Sequence, residues 1–311
     1  MSADYDNNLL DAIEARATLV GSNKMELLLF SLGGDETFGI NVFKVREVTN
    51  TPNITKTPNV PTGVEGFISL RGNIIPVISL TSFINQGSST NCRNETLIVT
   101  EFSRHTQGFL VDSIDRIIRV DWDKVKPPQD MLAANEGLIT AITELPDGRL
   151  VSILDVEQLL AQVLGEPLIP EIAQVDDIGD RYVFFVDDSQ VARKSISSVL
   201  DRMGVKSQQA TNGKEAWDKL KSLAAHALQE KKPLHESLRL ILTDAEMPEM
   251  DGYVLTKYIK ADTRFHGIPV VMHSSLSSQA NRTMGAQAGV DAYVSKFDAL
   301  ILAETLRPLL V

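Results

Sequence analysis

Residues 240–252 read LILTDAEMPEMDG, and this stretch decides how the second half of the chain folds. Apolar residues typical of a buried strand lead directly into Asp244, and the Met-Pro turn that follows separates this strand from a helix. Asp251 stands where the residue before a helix accepts backbone hydrogen bonds, so it is predicted to cap that helix. The pattern places Asp244 at the carboxyl end of a buried strand, where open α/β sheets bind their ligands.

Strands and helices alternate from residue 181 onward. The predicted strands are Tyr182–Val186, Val205–Gln209, Leu238–Thr243, Ile268–His273 and Ala292–Ser295. The predicted helices are Gln190–Met203, Lys214–Gln229, Tyr253–Ala261, Ser278–Ala288 and Ala299–Leu309. A βα unit repeated five times favours an α/β domain with a five-stranded parallel sheet and helices on both faces, as in flavodoxin-like folds.

The first half of the chain has a different pattern, with short β runs separated by glycine-rich and proline-rich turns. The predicted strands are Glu26–Leu32, Thr37–Ile40, Gly66–Leu70, Ile74–Ser79, Glu95–Phe102, Gln107–Val111, Ile114–Val120, Gly137–Leu145 and Arg149–Ile153. Helical patterns are few in this half and are predicted mainly at 42–48 and 154–164. Many short strands at this spacing indicate an all-β barrel or sandwich.

The chain is therefore predicted to be multidomain. Residues 1–23 form an N-terminal helix or tail, with an apolar helical stripe from 4 to 20. Residues 24–165 form the all-β domain, and 181–311 form the α/β domain. Residues 166–180 are acidic and contain prolines and a glycine, so they are predicted to be an extended, charged connector.

Composition excludes several classes of protein. The net charge of −11 argues against nucleic-acid binding, and residues 1–174 account for −10 of it. No apolar run is long enough to cross a membrane, so no membrane insertion is expected. The single cysteine, Cys92, can form neither an internal disulfide nor a zinc site, which favours a reducing, cytoplasmic environment.

Polar residues follow four of the predicted parallel strands. Asp187 and Asp188 end the first strand, Asp244 the third, Ser274 the fourth and Lys296 the fifth. Alone, each has an ordinary explanation as a cap, a turn residue or a strand end. Together they place three carboxylates at one edge of the sheet, where they repel one another unless a cation joins them. Hard oxygen ligands of this kind favour Mg²⁺.

The same residues, in FFVDDS at 184–189 and in the stretch around Asp244, resemble the receiver domain of response regulators. The resemblance implies that Asp244 accepts a phosphoryl group as an aspartyl phosphate. It also implies that Mg²⁺ is held by Asp187, Asp188, Asp244 and the backbone carbonyl of Glu246.

The receiver resemblance assigns three further roles. Ser274 and Lys296 bind the phosphoryl oxygens, and Tyr293 matches the aromatic residue that changes rotamer on phosphorylation. Receivers usually have a proline after the lysine, joined by a cis bond, whereas Phe297 follows here. A cis bond before a residue other than proline costs about 2.5–4 kcal/mol.

Three stretches of the first half, FGINVFKVREV at 38–48, GFISLRGNIIPVISL at 66–80 and GFLVDSIDRIIRV at 108–120, resemble the CheW family of chemotaxis adaptors. The resemblance implies two SH3-like β-barrels. It places Arg71 on the receptor-binding surface, and Val45, Glu47 and Gly66 match other positions tied to receptor or kinase binding. Ser69 stands where the family usually has asparagine.

A CheW-like domain followed by a receiver resembles the CheV family. It implies a cytoplasmic adaptor at membrane-associated arrays, coupling chemoreceptors to the CheA histidine kinase and regulated by phosphoryl transfer to Asp244. One alternative is a phosphate sink that drains the kinase without altering coupling. Another is an enzyme, a phosphohydrolase of the haloacid dehalogenase type, but that family needs an Asp-x-Asp motif and Ser189 stands two places after Asp187. A non-enzymatic adaptor is therefore predicted.

Overall fold

The computed structural model describes residues 24–84, 95–102, 105–126, 137–165, 169–176, 179–275, 279–296 and 298–310. These residues form two compact units, one ending at Gly165 and the other starting at Ile169. The helix predicted at 4–20 lies outside them. No described helix has both the length and the apolar character needed to cross a membrane.

The first unit is all-β, as predicted. Its strands are β1 (Lys24–Ser31), β2 (Thr37–Asn41), β3 (Val45–Asn50), β4 (Val64–Leu70), β5 (Asn73–Ser79), β6 (Thr96–Phe102), β7 (His105–Val111), β8 (Ser113–Asp121), β9 (Ile139–Glu144) and β10 (Leu150–Leu154). Its helices are α1 (Thr81–Ile84) and α2 (Val156–Leu164). The strands form two five-stranded sheets, ordered β8-β1-β2-β10-β9 and β3-β6-β7-β5-β4.

Each of these sheets is closed by one isolated bridge. The chain leaving β8 pairs Lys126 with Ile142 of β9, at the opposite edge of the same sheet. The chain leaving β3 likewise pairs Thr55 with Phe67 of β4. Bridges between opposite edges turn both sheets into small barrels and protect edges that would otherwise be exposed.

Separate apolar cores fill the two barrels. Alternate residues of β1, including Leu27 and Leu29, point into the first core, where they meet Trp122 and Val151. The second core has Ile68, Ile75, Val77, Leu97, Val99 and Leu110. Period-2 burial on strands from distant parts of the chain therefore holds this unit together.

The helix predicted at 42–48 is wrong. Only Val42–Lys44 forms a short 3₁₀ turn, after which Val45–Asn50 continues as β3. Asn41 caps this turn by accepting a hydrogen bond from the Phe43 amide at 3.0 Å. The β-branched residues of β3 favour a strand, and antiparallel pairing with β6 provides the partner that a local pattern cannot reveal.

The second unit has five alternating strands and helices. The strands are β11 (Tyr182–Val186), β12 (Lys206–Ala210), β13 (Leu238–Thr243), β14 (Val270–Ser274) and β15 (Ala292–Ser295). The helices are α3 (Gln190–Arg202), α4 (Gly213–Gln229), α5 (Gly252–Ala261), α6 (Gln279–Ala288) and α7 (Ala299–Leu310). Every strand pair is parallel, in the order β12-β11-β13-β14-β15. The predicted α/β fold is confirmed, and apolar cores cover both faces of the sheet.

The first residues of α5 lie close to the carboxyl end of β13. Asp251 caps the helix, as predicted, by accepting a hydrogen bond from the Val254 amide at 2.7 Å. Gly252 approaches the Asp244 backbone so closely that an added Cβ would lie 1.8 Å from the Asp244 carbonyl oxygen. Only glycine can take this position without moving the backbone of Asp244.

Candidate functional site

The predicted acidic residues converge at the carboxyl edge of the parallel sheet. Carboxylate oxygens of Asp187, Asp188 and Asp244 all lie within 4.8 Å of one another. Asp187 and Asp244 are buried, and Asp188 is half-buried. Adjacent β11 and β13 bring these groups together because parallel strands end at the same edge.

Lys296 reaches into this cluster from the end of β15. Its Nζ lies 2.8 Å from Asp187 Oδ2 and 2.9 Å from Asp244 Oδ2, and the lysine side chain is 1% exposed. We call Asp187, Asp188, Asp244 and Lys296 the acidic pocket. A buried ammonium between two buried carboxylates offsets much of the desolvation cost of all three groups. The peptide bond from Lys296 to residue 297 lies outside the described residues.

Backbone amides fix the other oxygen of two carboxylates. Asp244 Oδ1 accepts a hydrogen bond from the Ala245 amide at 2.7 Å, and Asp187 Oδ1 accepts one from the Ser189 amide at 3.0 Å. Each of these carboxylates therefore has one oxygen held by the backbone and the other turned toward Lys296. The geometry is preorganised, since neither side chain can rotate without losing both contacts.

The donor set of the acidic pocket fits a divalent cation. Three carboxylates and one ammonium leave an excess of two negative charges, concentrated where oxygens lie within 4.8 Å of one another. Clustered carboxylate oxygens are the ligands that Mg²⁺ prefers. Glu246, whose carbonyl was predicted as a further ligand, lies half-buried in the turn between β13 and α5.

Ser274 and Tyr293 lie beside this pocket. Ser274 is the last residue of β14 and is 1% exposed. Burial raises the pKa of Tyr293 to about 12, opposed by a hydrogen bond with Ser274. The guanidinium of Arg282 lies 5.4 Å from the centre of the Tyr293 ring, within range of a cation–π interaction. Tyr293 therefore lies within hydrogen-bonding distance of Ser274.

One residue beside Tyr293 was missed from the sequence. Tyr253, in the first turn of α5, is 6% exposed and packs in the same apolar cluster as Tyr293 and Met272. Burial, followed by the neighbouring Tyr293, raises the pKa of its phenol. The available signal was its position directly after Asp251 and Gly252, since Asp251 was predicted to cap the helix that follows the Asp244 strand.

The predicted adaptor residues divide into two groups. Arg71 lies at the β4–β5 turn, where its φ of 50° and that of 84° at Gly72 match the mirror-image turns that close tight hairpins. Its guanidinium pairs with Glu47 at 2.5 Å, and the Arg71 side chain is 71% exposed. Ile74, three residues further on, is an exposed hydrophobic residue that the sequence did not single out.

Val45 and Gly66 are buried in the barrel formed by β3, β6, β7, β5 and β4, rather than exposed on its surface. Val45 is 3% exposed. A Cβ at Gly66 would lie 2.3 Å from the Thr55 carbonyl oxygen, at the bridge that closes the barrel. Neither residue offers a side chain to a partner, so the candidate contact surface reduces to Arg71 and Glu47, with Ile74 nearby.

Comparison with known proteins agrees with both halves of the structure. Residues 26–164 match the CheW-like domain family, and residues 183–304 match the response regulator receiver domain family. The chain is 32% identical over 277 residues to the chemotaxis protein CheV3 of Helicobacter pylori, covering 88% of each chain. It is 27% identical over 319 residues to CheV2 of the same organism, covering 95% of this chain and 97% of the relative.

Among solved structures, the scaffolding protein TtCheW from Thermoanaerobacter tengcongensis is 30% identical, with a TM-score of 0.39. The match covers 42% of this chain and 84% of that one. The domain matches define a two-domain chemotaxis signalling protein in which a CheW-like domain precedes a receiver. The chain belongs to the CheV family of coupling proteins, as the sequence predicted.

The acidic pocket predicts how metal affinity responds to substitution. Asp187→Asn removes one negative charge but keeps an oxygen for the Ser189 amide, so Mg²⁺ binding should weaken on the order of tenfold or more. Isothermal titration of the full-length protein with Mg²⁺ measures this change.

Asp251→Asn is the matched control. Asparagine caps helices about as well as aspartate, so neither stability nor Mg²⁺ affinity should change appreciably. Equal losses of Mg²⁺ affinity in both variants would show that the metal lies elsewhere at this edge of the sheet.

Proposed function

We propose that the protein couples chemoreceptors to the CheA histidine kinase, and that phosphoryl transfer to Asp244 regulates this coupling. The observation that carries the proposal is the buried Lys296 ammonium held between Asp187 and Asp244 at the carboxyl edge of the sheet. The CheW-like domain and the CheV relatives support the coupling role.

The chemistry proposed for Asp244 is a nucleophilic displacement at phosphorus. A carboxylate oxygen of Asp244 attacks the phosphoryl group of a phosphohistidine, the new P–O bond forms, and the P–N bond breaks as the imidazole leaves with its electron pair. Lys296 lies close enough to donate to a phosphoryl oxygen on Asp244, and the Ser274 hydroxyl is the second donor.

Mg²⁺ bound by Asp187, Asp188 and Asp244, with the Glu246 carbonyl, would neutralise charge that develops on the transferred group. The protein's own backbone orients two of these carboxylates. The Ala245 amide orients Asp244, and the Ser189 amide orients Asp187. Both donors belong to the backbone, so neither depends on the rotamer of another side chain.

The proposed receptor contact is the turn that carries Arg71. An exposed arginine fixed by an ion pair to Glu47, with the exposed Ile74 nearby, has the composition of a protein-binding hot spot. We place this surface against chemoreceptors on the cytoplasmic side of the membrane-associated arrays. Binding to the kinase is assigned to the same CheW-like domain.

We propose a signalling adaptor rather than an enzyme, since the receiver would promote only its own phosphorylation. The phosphohydrolase alternative needs a carboxylic acid two residues after Asp187. Ser189 occupies that position, and its hydroxyl accepts a hydrogen bond from the Ala192 amide as the cap of α3. The residue at this position of the motif therefore lacks the carboxylic acid that a phosphohydrolase would use as its general acid.

The phosphorylation site is tested by Asp244→Asn. Phosphorylated kinase or acetyl phosphate with Mg²⁺ should label the full-length protein, and the variant should lose labelling because its amide is not a nucleophile. Asp251→Asn, which alters the helix cap nearby, should be labelled normally. Labelling of Asp244→Asn at the wild-type level would assign the phosphoryl group to another residue.

The adaptor surface is tested by Arg71→Glu. Charge reversal beside Glu47 breaks the ion pair and places like charges together, so receptor binding should weaken roughly tenfold or more. Arg149→Glu, another exposed and ion-paired arginine of this unit, is the control and should bind normally. A loss of the β signal in circular dichroism for Arg71→Glu would make Arg71 structural and remove the proposed contact.

Beryllofluoride, an analogue of the phosphoryl group, distinguishes regulation of coupling by phosphorylation from the phosphate-sink alternative. The two hypotheses predict different affinities for receptor or kinase when it is bound. If phosphorylation controls coupling, beryllofluoride with Mg²⁺ should change the affinity of the full-length protein for receptor or kinase about 5- to 150-fold. Asp244→Asn is the control that should not respond. Unchanged affinity in the wild-type protein, despite bound beryllofluoride, would favour the sink.

A further inference from the structure

Residues 169–176 precede the first strand of the receiver. They pack against the receiver and are not a solvated connector. We call these residues the strap. Ile172 and Val175 are each 8% exposed, and Ile169 is partly buried against the same cluster. These apolar residues recur at every third position, and all three pack against the same cluster of the receiver. They belong to one apolar cluster that also contains residues of α3 and α7, among them Val199, Leu200, Leu302, Ala303 and Leu306.

Two arginines hold the backbone of the strap. Arg202 donates from Nη1 to the Pro170 carbonyl at 2.7 Å. Arg307 donates from Nη1 to the Gln174 carbonyl at 2.9 Å and from Nη2 to the Ala173 carbonyl at 2.7 Å. A guanidinium suits this task because its donors form a rigid fork, which a lysine cannot reproduce.

A backbone hydrogen bond completes the attachment. The Val175 amide donates to the Met203 carbonyl at the end of α3, at 2.9 Å. The acidic side chains at Glu171 and Asp176 are exposed. The attachment is therefore made by carbonyls and apolar side chains, not by the two acidic side chains of this segment.

The first helix that holds the strap begins at the acidic pocket. Ser189 caps α3 directly after Asp187 and Asp188, and Arg193 donates to the carbonyls of both aspartates at 2.9 and 2.8 Å. Arg202 is the last residue of the same helix. Thirteen residues in α3 make a rod about 20 Å long between the pocket and the strap.

The second helix has the same arrangement. Asp298, two residues after Lys296, accepts a hydrogen bond from the Ile301 amide at 3.0 Å at the start of α7. Arg307 lies in the last turn of α7. Both helices that hold the strap thus start within three residues of a pocket residue and end beside the strap, and apolar residues of both belong to one cluster.

We propose that the groove between α3 and α7 is a binding surface for the chain's own strap, and that it transmits the state of the acidic pocket to the CheW-like domain. This inference rests on the proposed regulation through Asp244. A group bound between Asp187, Asp244 and Lys296 shifts the starts of α3 and α7, and the helices carry the shift to Arg202 and Arg307. The strap continues in sequence toward Gly165, where the CheW-like unit ends. A change in how tightly Arg202 and Arg307 bind the strap therefore acts on the chain that joins the two units.

The test measures hydrogen exchange of the strap in the full-length protein, with and without beryllofluoride and Mg²⁺. In the wild-type protein, beryllofluoride should change strap exchange about fivefold or more, the lower end of typical coupling between sites. Arg202→Ala and Arg307→Lys should each speed strap exchange without beryllofluoride, since each loses donors to strap carbonyls. Arg307→Lys keeps the charge and is the milder variant if Arg202→Ala does not fold.

Arg239→Ala is the matched control, because Arg239 also donates to a backbone carbonyl, that of Leu310 at the end of α7, without contacting the strap through that bond. Binding of beryllofluoride should be unchanged in all three variants, as none lies in the pocket. The change in receptor or kinase affinity on adding beryllofluoride should be lost in Arg202→Ala and Arg307→Lys but retained in Arg239→Ala.

The outcomes separate the two proposals. Coupling that survives in both strap variants, or strap exchange that is insensitive to beryllofluoride in the wild-type protein, would overturn the role of the strap alone. A wild-type protein that binds beryllofluoride yet shows no change in partner affinity would overturn the proposed regulation as well. Loss of coupling confined to the strap variants supports the inference.

Discussion

The receiver site depends on one buried interaction, the Lys296 ammonium between the carboxylates of Asp187 and Asp244. Two like charges held this close raise the free energy of the folded state, and a single ammonium at 2.8 and 2.9 Å lowers it again. The contact requires β11 beside β13 and β15 at the end of the same sheet. The site can therefore form only if the strands pair in this order. The close approach of Gly252 to Asp244 adds a second requirement, because a side chain at position 252 would displace the backbone of Asp244.

This constraint extends beyond the pocket because helices start there. Ser189 begins α3 directly after the paired aspartates, and α7 begins soon after Lys296. A change of charge in the pocket thus acts on the ends of two rigid elements rather than on a flexible loop. In the CheW-like unit, the proposed contact has a comparable basis: the Arg71 turn projects from a barrel whose closing bridge pairs Phe67 of β4 with Thr55.

Much of the site could be predicted because its residues carry their signal locally. A carboxylate directly after an apolar run marks a strand end, and five such units in sequence define a parallel sheet with its ligands at one edge. Asp187, Asp244, Ser274 and Lys296 all fall where this reasoning put them. Tyr253 was missed because it became relevant only through burial beside Tyr293, a contact between segments about forty residues apart.

The sequence by itself determined the order of strands and helices, the division into two kinds of domain, and the strand-end residues of the pocket, since periodicity and adjacency are local properties. The tertiary structure alone decided which adaptor residues are accessible, burying Val45 while leaving Arg71 exposed. It also made Val45–Asn50 a strand, although residues 42–48 were predicted to be helical. Likewise it buried Ile172 against the receiver, although residues 166–180 were predicted to be an extended, charged connector. These outcomes depend on pairing and burial between distant segments, and such contacts override local propensity because they supply most of the stabilising free energy.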